Sequence, residues 1–334
     1  MIYVENLRKE FKKTVKDPGI KGSIKSFFKP KKEIVEAVKD ISFNVEEGEI
    51  LGFIGPNGAG KSTVIKMLTG ILTPTSGSCS INGKIPQKDR KKYVKEIGVV
   101  FGQRTQLWWD LPLTETYSVL KEIYEVEDSK FKKRMDFLNE VLELDDFINS
   151  PVRTLSLGQR MRADIAASLL HSPKVLFLDE PTIGLDVVVK DNIRKAIAKI
   201  NAEENTTVVL TTHDLADIET LSKRIVMIDK GSKVFDGKIS DLKEKYGQMR
   251  ELAFVSSDEK ALDMLGYAEK FNLSGDDLFA ESDGSRYTVR FNSALVPVSD
   301  MLSYTLDKIN VKDINVKDAD IEEIIRRLYK EGVK

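Results

Sequence analysis

Apolar positions along this chain follow two patterns that change over near residue 237. Before it, short unbroken apolar runs alternate with segments of helical period. "EILGFIG" (49–55), "EIGVVFG" (96–102), "KVLFLDE" (174–180) and "TTVVLTT" (206–212) each have the length of a strand buried on both faces, the pattern of a parallel sheet. "KSTVIKMLTGIL" follows the first of these with helical spacing. Residues 113–147 are charged and helix-periodic with no β-rich run, which predicts a helical insert in an α/β domain. After 237 the pattern changes to RELAFVSS, DEKALDMLGYAE, RYTVRF, VSDMLSYTLDKI, NVKDINV and DADIEEIIRRLYKE, strand and helix segments of alternating polarity. They predict a small α+β domain at 240–334 behind a larger α/β domain at 1–239. A length of 334 residues suits about two domains.

One stretch breaks this pattern by charge. Residues 12–32 hold eight lysines against a single acid, Asp17. Within them Ile20, Ile24, Phe27 and Phe28 fall at i, i+4, i+7 and i+8, one helical face. Two readings stand side by side: a basic amphipathic helix on a membrane surface, or a solvated loop with apolar anchors. The remaining composition is ordinary. Net charge is −1, so the chain as a whole carries no bias toward nucleic acid, and none is expected as a partner. The single cysteine, Cys79, excludes an internal disulfide and fits a reducing compartment. "MIYVENLRKEF" has no apolar signal core and no run of 18 apolar residues occurs, so the chain is expected at the cytoplasmic face of a membrane at most, not across it.

The chemistry concentrates where apolar runs end. "GPNGAGKST" (55–63) fits G-x-x-x-x-G-K-[ST], closing one strand run and opening a helix. Gly55, Gly58 and Gly60 let the backbone turn its N–H groups inward around phosphate oxygens, at the positive end of a helix dipole. Pro56, Asn57, Ala59 and Thr63 complete that loop. Lys61 brings a mobile charge for the β- and γ-phosphates, and the Ser62 hydroxyl suits Mg²⁺. "VLFLDEPT" (175–182) delivers two carboxylates to a strand's C-terminal end, where α/β sheets hold their ligands. Asp179 is suited to hold Mg²⁺ and Glu180 to polarise an attacking water. "VVLTTHD" (208–214) ends a further strand with His213, one of two histidines, placed to donate to a γ-phosphate.

"RTLSLGQRMRADIAASLLHSPKVLFLDEPTIGLD" (153–186) resembles the signature-to-Walker-B block of ABC-type ATPases. With the phosphate loop, Gln103 and His213 in family order, the resemblance covers about 1–237. It implies a P-loop NTPase fold: a RecA-like core, an antiparallel β subdomain and a helical subdomain at about 113–170. It implies ATP and Mg²⁺ as ligands, Gln103 as a Q-loop residue touching metal and water, and Ser156, Gly158 and Gln159 as signature residues. Asp186 falls in the D-loop, His213 is the switch histidine, and Phe11 stands where an aromatic stacks on adenine. The family's signature is usually LSGGQ, whereas this chain has Leu157 in the first glycine's place. Leucine resists positive φ, so the backbone there is expected to accept a side chain.

One chain with one phosphate loop and one signature implies a homodimer sharing its ATP sites, with separate transmembrane permease subunits. The sequence around "FGQRTQLWWDLP", the basic insert and the "PTIGLD" loop most resemble subunits of drug and antibiotic exporters. Polysaccharide and teichoic-acid exporters, importers, soluble ribosome-acting ABC proteins and chromosome-type ATPases are the other readings. The last two usually carry paired ATPase units or long coiled coils, and neither pattern is present. Trp108 and Trp109, all the tryptophan in the chain, fall in this stretch between Gln103 and the helical insert. They are expected beside the cleft that receives a permease helix, one turned inward and one outward.

Overall fold

The computed structural model describes residues 1–15, 31–102, 104–258, 265–317 and 321–331, which divide into two compact units, Met1–Gly237 and Lys238–Lys334. Gln103 and the segment from Ile20 to Phe28 therefore lie outside the described residues.

In the first unit nine strands form one sheet. They are β1 (Ile2–Val15), β2 (Lys31–Val45), β3 (Ile50–Ile54), β4 (Ser76–Ile81), β5 (Ile97–Phe101), β6 (Val175–Asp179), β7 (Thr207–Thr211), β8 (Arg224–Asp229) and β9 (Ser232–Lys238). Their order is β4-β1-β2-β9-β8-β3-β7-β6-β5. β8, β3, β7, β6 and β5 pair in parallel, while β1 pairs antiparallel with both β2 and β4. The parallel strands are the unbroken apolar runs, and Leu51, Phe53, Val175, Leu176, Phe177, Leu178, Val208, Val209 and Leu210 are fully buried. Burying both faces of a strand requires helices above and below, and the helix Lys61–Leu68 supplies Val64, Ile65, Met67 and Leu68 to this core.

The helical insert consists of Leu113–Tyr124 and Asp128–Leu142, followed by the helix Leu157–Leu169. Buried side chains join these three. The Tyr117 hydroxyl donates to the Ala163 carbonyl at 3.1 Å, and Arg134 donates to the Leu169 carbonyl at 2.7 Å while pairing with Glu204. The flanks of the basic stretch are strand: Lys12 and Lys13 lie in β1 and Lys31 and Lys32 in β2, paired through Val15 and Lys31. The helix expected between Pro18 and Pro30 lies outside the described residues; the strands on either side of it pair across as far as Val15 and Lys31.

The second unit has a sheet of its own. Strands β10 (Met249–Ser256), β11 (Leu278–Asp283), β12 (Arg286–Asn292) and β13 (Val311–Lys317) lie in the order β11-β12-β10-β13, all antiparallel. With Tyr267–Phe271 after β10 and Val298–Lys308 after β12, this is a split β-α-β arrangement. Leu252, Phe254, Tyr287, Val289, Phe291 and Met301 are buried in its core. A last helix, Ile321–Glu331, buries Ile321, Ile324, Ile325 and Leu328.

Candidate functional site

The site lies at the C-terminal ends of β3, β7, β6 and β5, neighbours in the sheet. The phosphate loop leaves β3 and enters the helix Lys61–Leu68 through Gly60, whose φ is 109°. A Cβ there would stand 2.6 Å from the Ala37 carbonyl oxygen, so both the dihedral and the space require glycine. This helix has no side-chain cap, which leaves its first N–H groups directed at whatever occupies the loop. Pro56, Asn57, Gly58, Gly60, Lys61, Ser62 and Thr63 line a cleft of about 450 Å³, with Ala37, Glu180, Ile183 and His213 on its other walls. Lys61 is buried, and its ammonium donates to the Gly55 carbonyl at 2.6 Å and lies 3.9 Å from Glu180 Oε1.

β6 and β7 supply the acidic side. The Ser62 hydroxyl lies 3.3 Å from Asp179 Oδ1, and the Thr211 hydroxyl donates to that same oxygen at 2.5 Å. Two hard oxygen donors converging from the loop and from β6 suit Mg²⁺, which fills its octahedron with phosphate and water rather than an all-protein cage. Among the described residues no cluster of three or more acid, histidine or cysteine ligands offers a rival metal site. The next residue, Glu180, has φ 58°, and its N–H is held by the Thr211 carbonyl at 2.9 Å. His213 Nδ1 lies 2.6 Å from Glu180 Oε2. A carboxylate only accepts, so the proton is on Nδ1, and Nε2 of the half-exposed ring is the nitrogen left to face a ligand.

β5 closes this corner. The Gly102 N–H donates to the Asp179 carbonyl at 2.8 Å, and a Cβ on Gly102 would stand 2.1 Å from the Glu180 carbonyl oxygen. Gly102 and Arg104 line a second cleft of about 330 Å³ together with Ser62, Asp179 and Glu180.

The signature residues form the start of the helix Leu157–Leu169. Ser156 is its N-cap within a capping box: the Gln159 N–H donates to Ser156 Oγ at 3.2 Å, and Gln159 Oε1 accepts from the Ser156 N–H at 2.9 Å. The Ser156 hydroxyl proton stays free to donate, whereas Gln159 is turned back on its own helix. Leu157 is the first helical residue, which answers the difficulty its side chain raised, since N1 has ordinary helical φ. One of its methyls lies 3.3 Å from where a Cβ of Gly184 would be. Gly158 is required by packing, because a Cβ there would come within 2.7 Å of Val189. Asp186 caps the helix Val187–Glu204 by accepting from the Val189 N–H at 3.0 Å.

Between β5 and the helical insert the loop is fastened to the signature helix. Trp108 and Trp109 are 41% and 50% exposed, so both face outward and the expected inward-and-outward split does not occur. Leu107 is the residue that turns into the interior, and the Arg160 guanidinium lies over the Trp109 ring at 5.6 Å. Asp164 lies inside the helix and accepts from Thr105 and Gln106. Burial pushes its carboxyl up to about 6, against the pull of those donors and of Arg160.

The fold thus gathers Lys61, Ser62, Asp179, Glu180 and His213 into one cluster. It does not bring Phe11, Ser156, Gly158, Gln159 or Asp186 to it: none of these lines either cleft. Phe11 sits on β1 opposite Val35 with the Lys9 ammonium over its ring at 5.3 Å. Sequence reasoning passed over Thr211, Gly102 and Asp164. Asp217 was also missed: it is fully buried, with Thr182, Thr212 and Arg194 donating to it beneath the His213 loop. Thr211 and Thr212 could have been found from "LTTHD", since hydroxyls at a strand's end next to a histidine have few other duties.

A parallel sheet presenting a glycine loop, a helix N-terminus and a strand-end Asp-Glu pair defines a P-loop ATPase. Residues 38–183 match the family model for the ABC transporter. The ABC transporter ATP-binding protein NatA of Bacillus subtilis (strain 168) is 31% identical over 217 residues, covering 65% of this chain and 88% of NatA. The linearmycin resistance ATP-binding protein LnrL of the same organism is 34% identical, covering 63% of this chain and 67% of LnrL. The methionine import ATP-binding protein MetN 2 of Enterococcus faecalis (strain ATCC 700802 / V583) is 36% identical, covering 66% of this chain and 65% of that protein. Among solved structures, the ATP-binding cassette MJ0796, dimeric in a post-hydrolysis state with ADP and Pi, is 28% identical with a TM-score of 0.59, covering 72% of this chain and 99% of that one. The chain belongs to the ABC transporter family: it is an ATP-hydrolysing subunit of a membrane transporter that uses ATP with Mg²⁺. Among the described residues no helix is long and apolar enough to cross a membrane.

Proposed function

We propose that two copies of this chain close on ATP at the cytoplasmic face of a membrane and drive separate permease subunits that export drugs, antibiotics or other amphipathic compounds. The observation that carries this reading is the half-exposed Trp108-Trp109 pair, set between the strand that closes the catalytic corner and the helix that opens the signature. Two indoles held toward solvent by a fastened loop offer a permease helix an apolar anchor. The likeness to LnrL, whose name records linearmycin resistance, supports export. The likeness to MetN 2 supports the second reading, an importer.

The chain's own residues divide the work as follows. The loop N–H groups and Lys61 hold the phosphates, and Phe11 takes the adenine. Ser62, Asp179 and Gln103 would hold Mg²⁺, which when bound would supply positive charge against the β- and γ-phosphates. Glu180 accepts hydrogen from the attacking water and orients it in line with the γ-phosphorus, while His213 fixes the Glu180 carboxylate by donating from Nδ1; only as the imidazolium, with Nε2 protonated too, does it also donate to the γ-phosphate. Ser156 and Gly158 of the second copy complete the site from the opposite side, with Gln159 and Asp186 holding their two helix starts in shape.

The test is genetic. Deleting this chain in its host should sensitise cells to membrane-active amphipathic compounds. Wild-type chain should restore resistance, and a Glu180→Gln chain should not, since losing a positioned base costs on the order of 10²–10⁴ in rate. Unchanged sensitivity with lost uptake of a nutrient would place the chain with importers instead.

A further inference from the structure

Asp164 is a buried acid that the reaction leaves unused. It lies two turns into the helix Leu157–Leu169, 5% exposed, among Ala163, Ile165, Ala166 and Ala167, all buried. A carboxylate in that setting costs free energy unless its bonds return it. Its Oδ1 accepts from the Thr105 hydroxyl at 3.0 Å and from the Gln106 N–H at 3.0 Å. The Gln106 side-chain amide reaches back to the Asp164 carbonyl at 3.2 Å, and the Thr105 oxygen also accepts from the Leu107 N–H at 3.1 Å.

The other end of this loop is fixed to the catalytic corner. The Gly102 N–H is bonded to the Asp179 carbonyl, and the Arg104 N–H donates to the Phe101 carbonyl at 2.8 Å. From the end of β6 to the middle of the signature helix the route runs through Gly102, Phe101, Arg104, Thr105 and Asp164, with every step a bond or an adjacent residue. Further stitches lie farther along: the Arg153 N–H to the Trp109 carbonyl at 3.0 Å and the Val152 N–H to the Leu111 carbonyl at 3.2 Å.

We propose that Asp164 is a positioning residue that locks the loop after β5 to the signature helix, so that nucleotide bound at one chain's phosphate loop sets where that same chain holds Ser156 for its partner's nucleotide. The two sites of the dimer are then coupled through each chain's interior. This rests on the shared-site reading above.

Both loop bonds fall on one oxygen, which makes the test selective: Asp164→Asn keeps that acceptor as an amide carbonyl, and Asp164→Ala removes it. Thr105→Val removes one of the two bonds to that oxygen from the exposed loop side, where folding is not at stake. Steady-state ATP hydrolysis is measured against ATP concentration for the full chain and for these variants, with thermal unfolding recorded alongside. The expected result is a Hill coefficient above one in the wild type that falls to one in Asp164→Ala and Thr105→Val. Turnover should drop on the order of 10-fold, the double variant should be no worse than either single one, and Asp164→Asn should stay near wild type. Cooperativity that survives in folded Asp164→Ala and Thr105→Val overturns the latch alone, as does an Asp164→Asn chain as impaired as Asp164→Ala. A wild-type Hill coefficient of one overturns the coupling and the latch with it, while the shared-site reading stands or falls on whether Lys61→Ala and Ser156→Arg chains restore hydrolysis when mixed.

Discussion

Glu180 holds its carboxylate over the phosphate loop from a left-handed backbone, a conformation a non-glycine residue keeps only when its neighbours insist. Those neighbours are Thr211, whose carbonyl takes the Glu180 N–H, and Gly102, whose missing side chain leaves room for the Glu180 carbonyl. Gly102→Ala puts a methyl 2.1 Å from that oxygen, and backbone must move. The shift displaces the carboxylate rather than the phosphate loop, so nucleotide affinity should hold while turnover falls on the order of 10²-fold, the cost of a misplacement near 1 Å. Equilibrium ATP binding and steady-state hydrolysis separate the two, and unchanged turnover would free Gly102 from this role. Lys61, Ser62, Asp179 and Glu180 were legible in the sequence because each is fixed by its own motif at the end of an apolar run. Gly102, Thr211 and Asp164 were not, since what they touch lies on another strand or helix and no local spacing records it.

At the scale of elements, the four parallel strands read from the sequence are strands because unbroken Val, Leu, Ile and Phe runs have no other stable environment. β11 escaped notice: LFAESD lies at the sheet edge with most of its side chains exposed, so it carries no apolar alternation. Leu157 shows the reverse case, where one substitution in a motif raised a conformational difficulty that the capping box dissolves by starting the helix there. The Trp108-Trp109 loop is the element whose exposure departs furthest from expectation. Burying one indole against a permease removes about 150–250 Å² from water, roughly 4–6 kcal/mol gross at ~25 cal/mol/Å², much of it offset by the cost of association. Because both rings are half outside already, Trp108→Ala and Trp109→Ala should leave the isolated chain's melting temperature and basal hydrolysis nearly intact. Co-purification with membrane subunits from detergent extract should be lost. Variants that unfold the isolated chain would assign the pair to the core instead.

For the whole molecule the decisive geometric fact is what one chain keeps apart. The phosphate loop, Asp179, Glu180 and His213 share a cleft, yet Ser156 and Gly158 line neither wall of it: Gly158 packs against Val189, and Leu157 between them lies against the turn at Gly184. The transferred γ-phosphoryl group carries negative charge on its equatorial oxygens, and an open cleft of one chain offers them only solvent on that side. A second copy related by a twofold axis can bring its signature helix there, and the symmetry then completes two sites at once. Mixing variants tests this without any membrane partner. A Lys61→Ala chain lacks the phosphate charge but keeps its signature; a Ser156→Arg chain keeps Lys61 but fills the signature cap with a long cation. Each homodimer has two broken sites and should be inactive. In an equal mixture half of the dimers are mixed, and in each of these the loop of the Ser156→Arg chain meets the intact signature of the other. Hydrolysis should therefore return to about a quarter of the wild-type level, the share of intact sites that isologous pairing leaves. If heterodimers are shown to form by subunit exchange and hydrolysis stays at the level of the homodimers, the signature does not act across the interface, and the open side of the cleft must be closed by this chain's own residues.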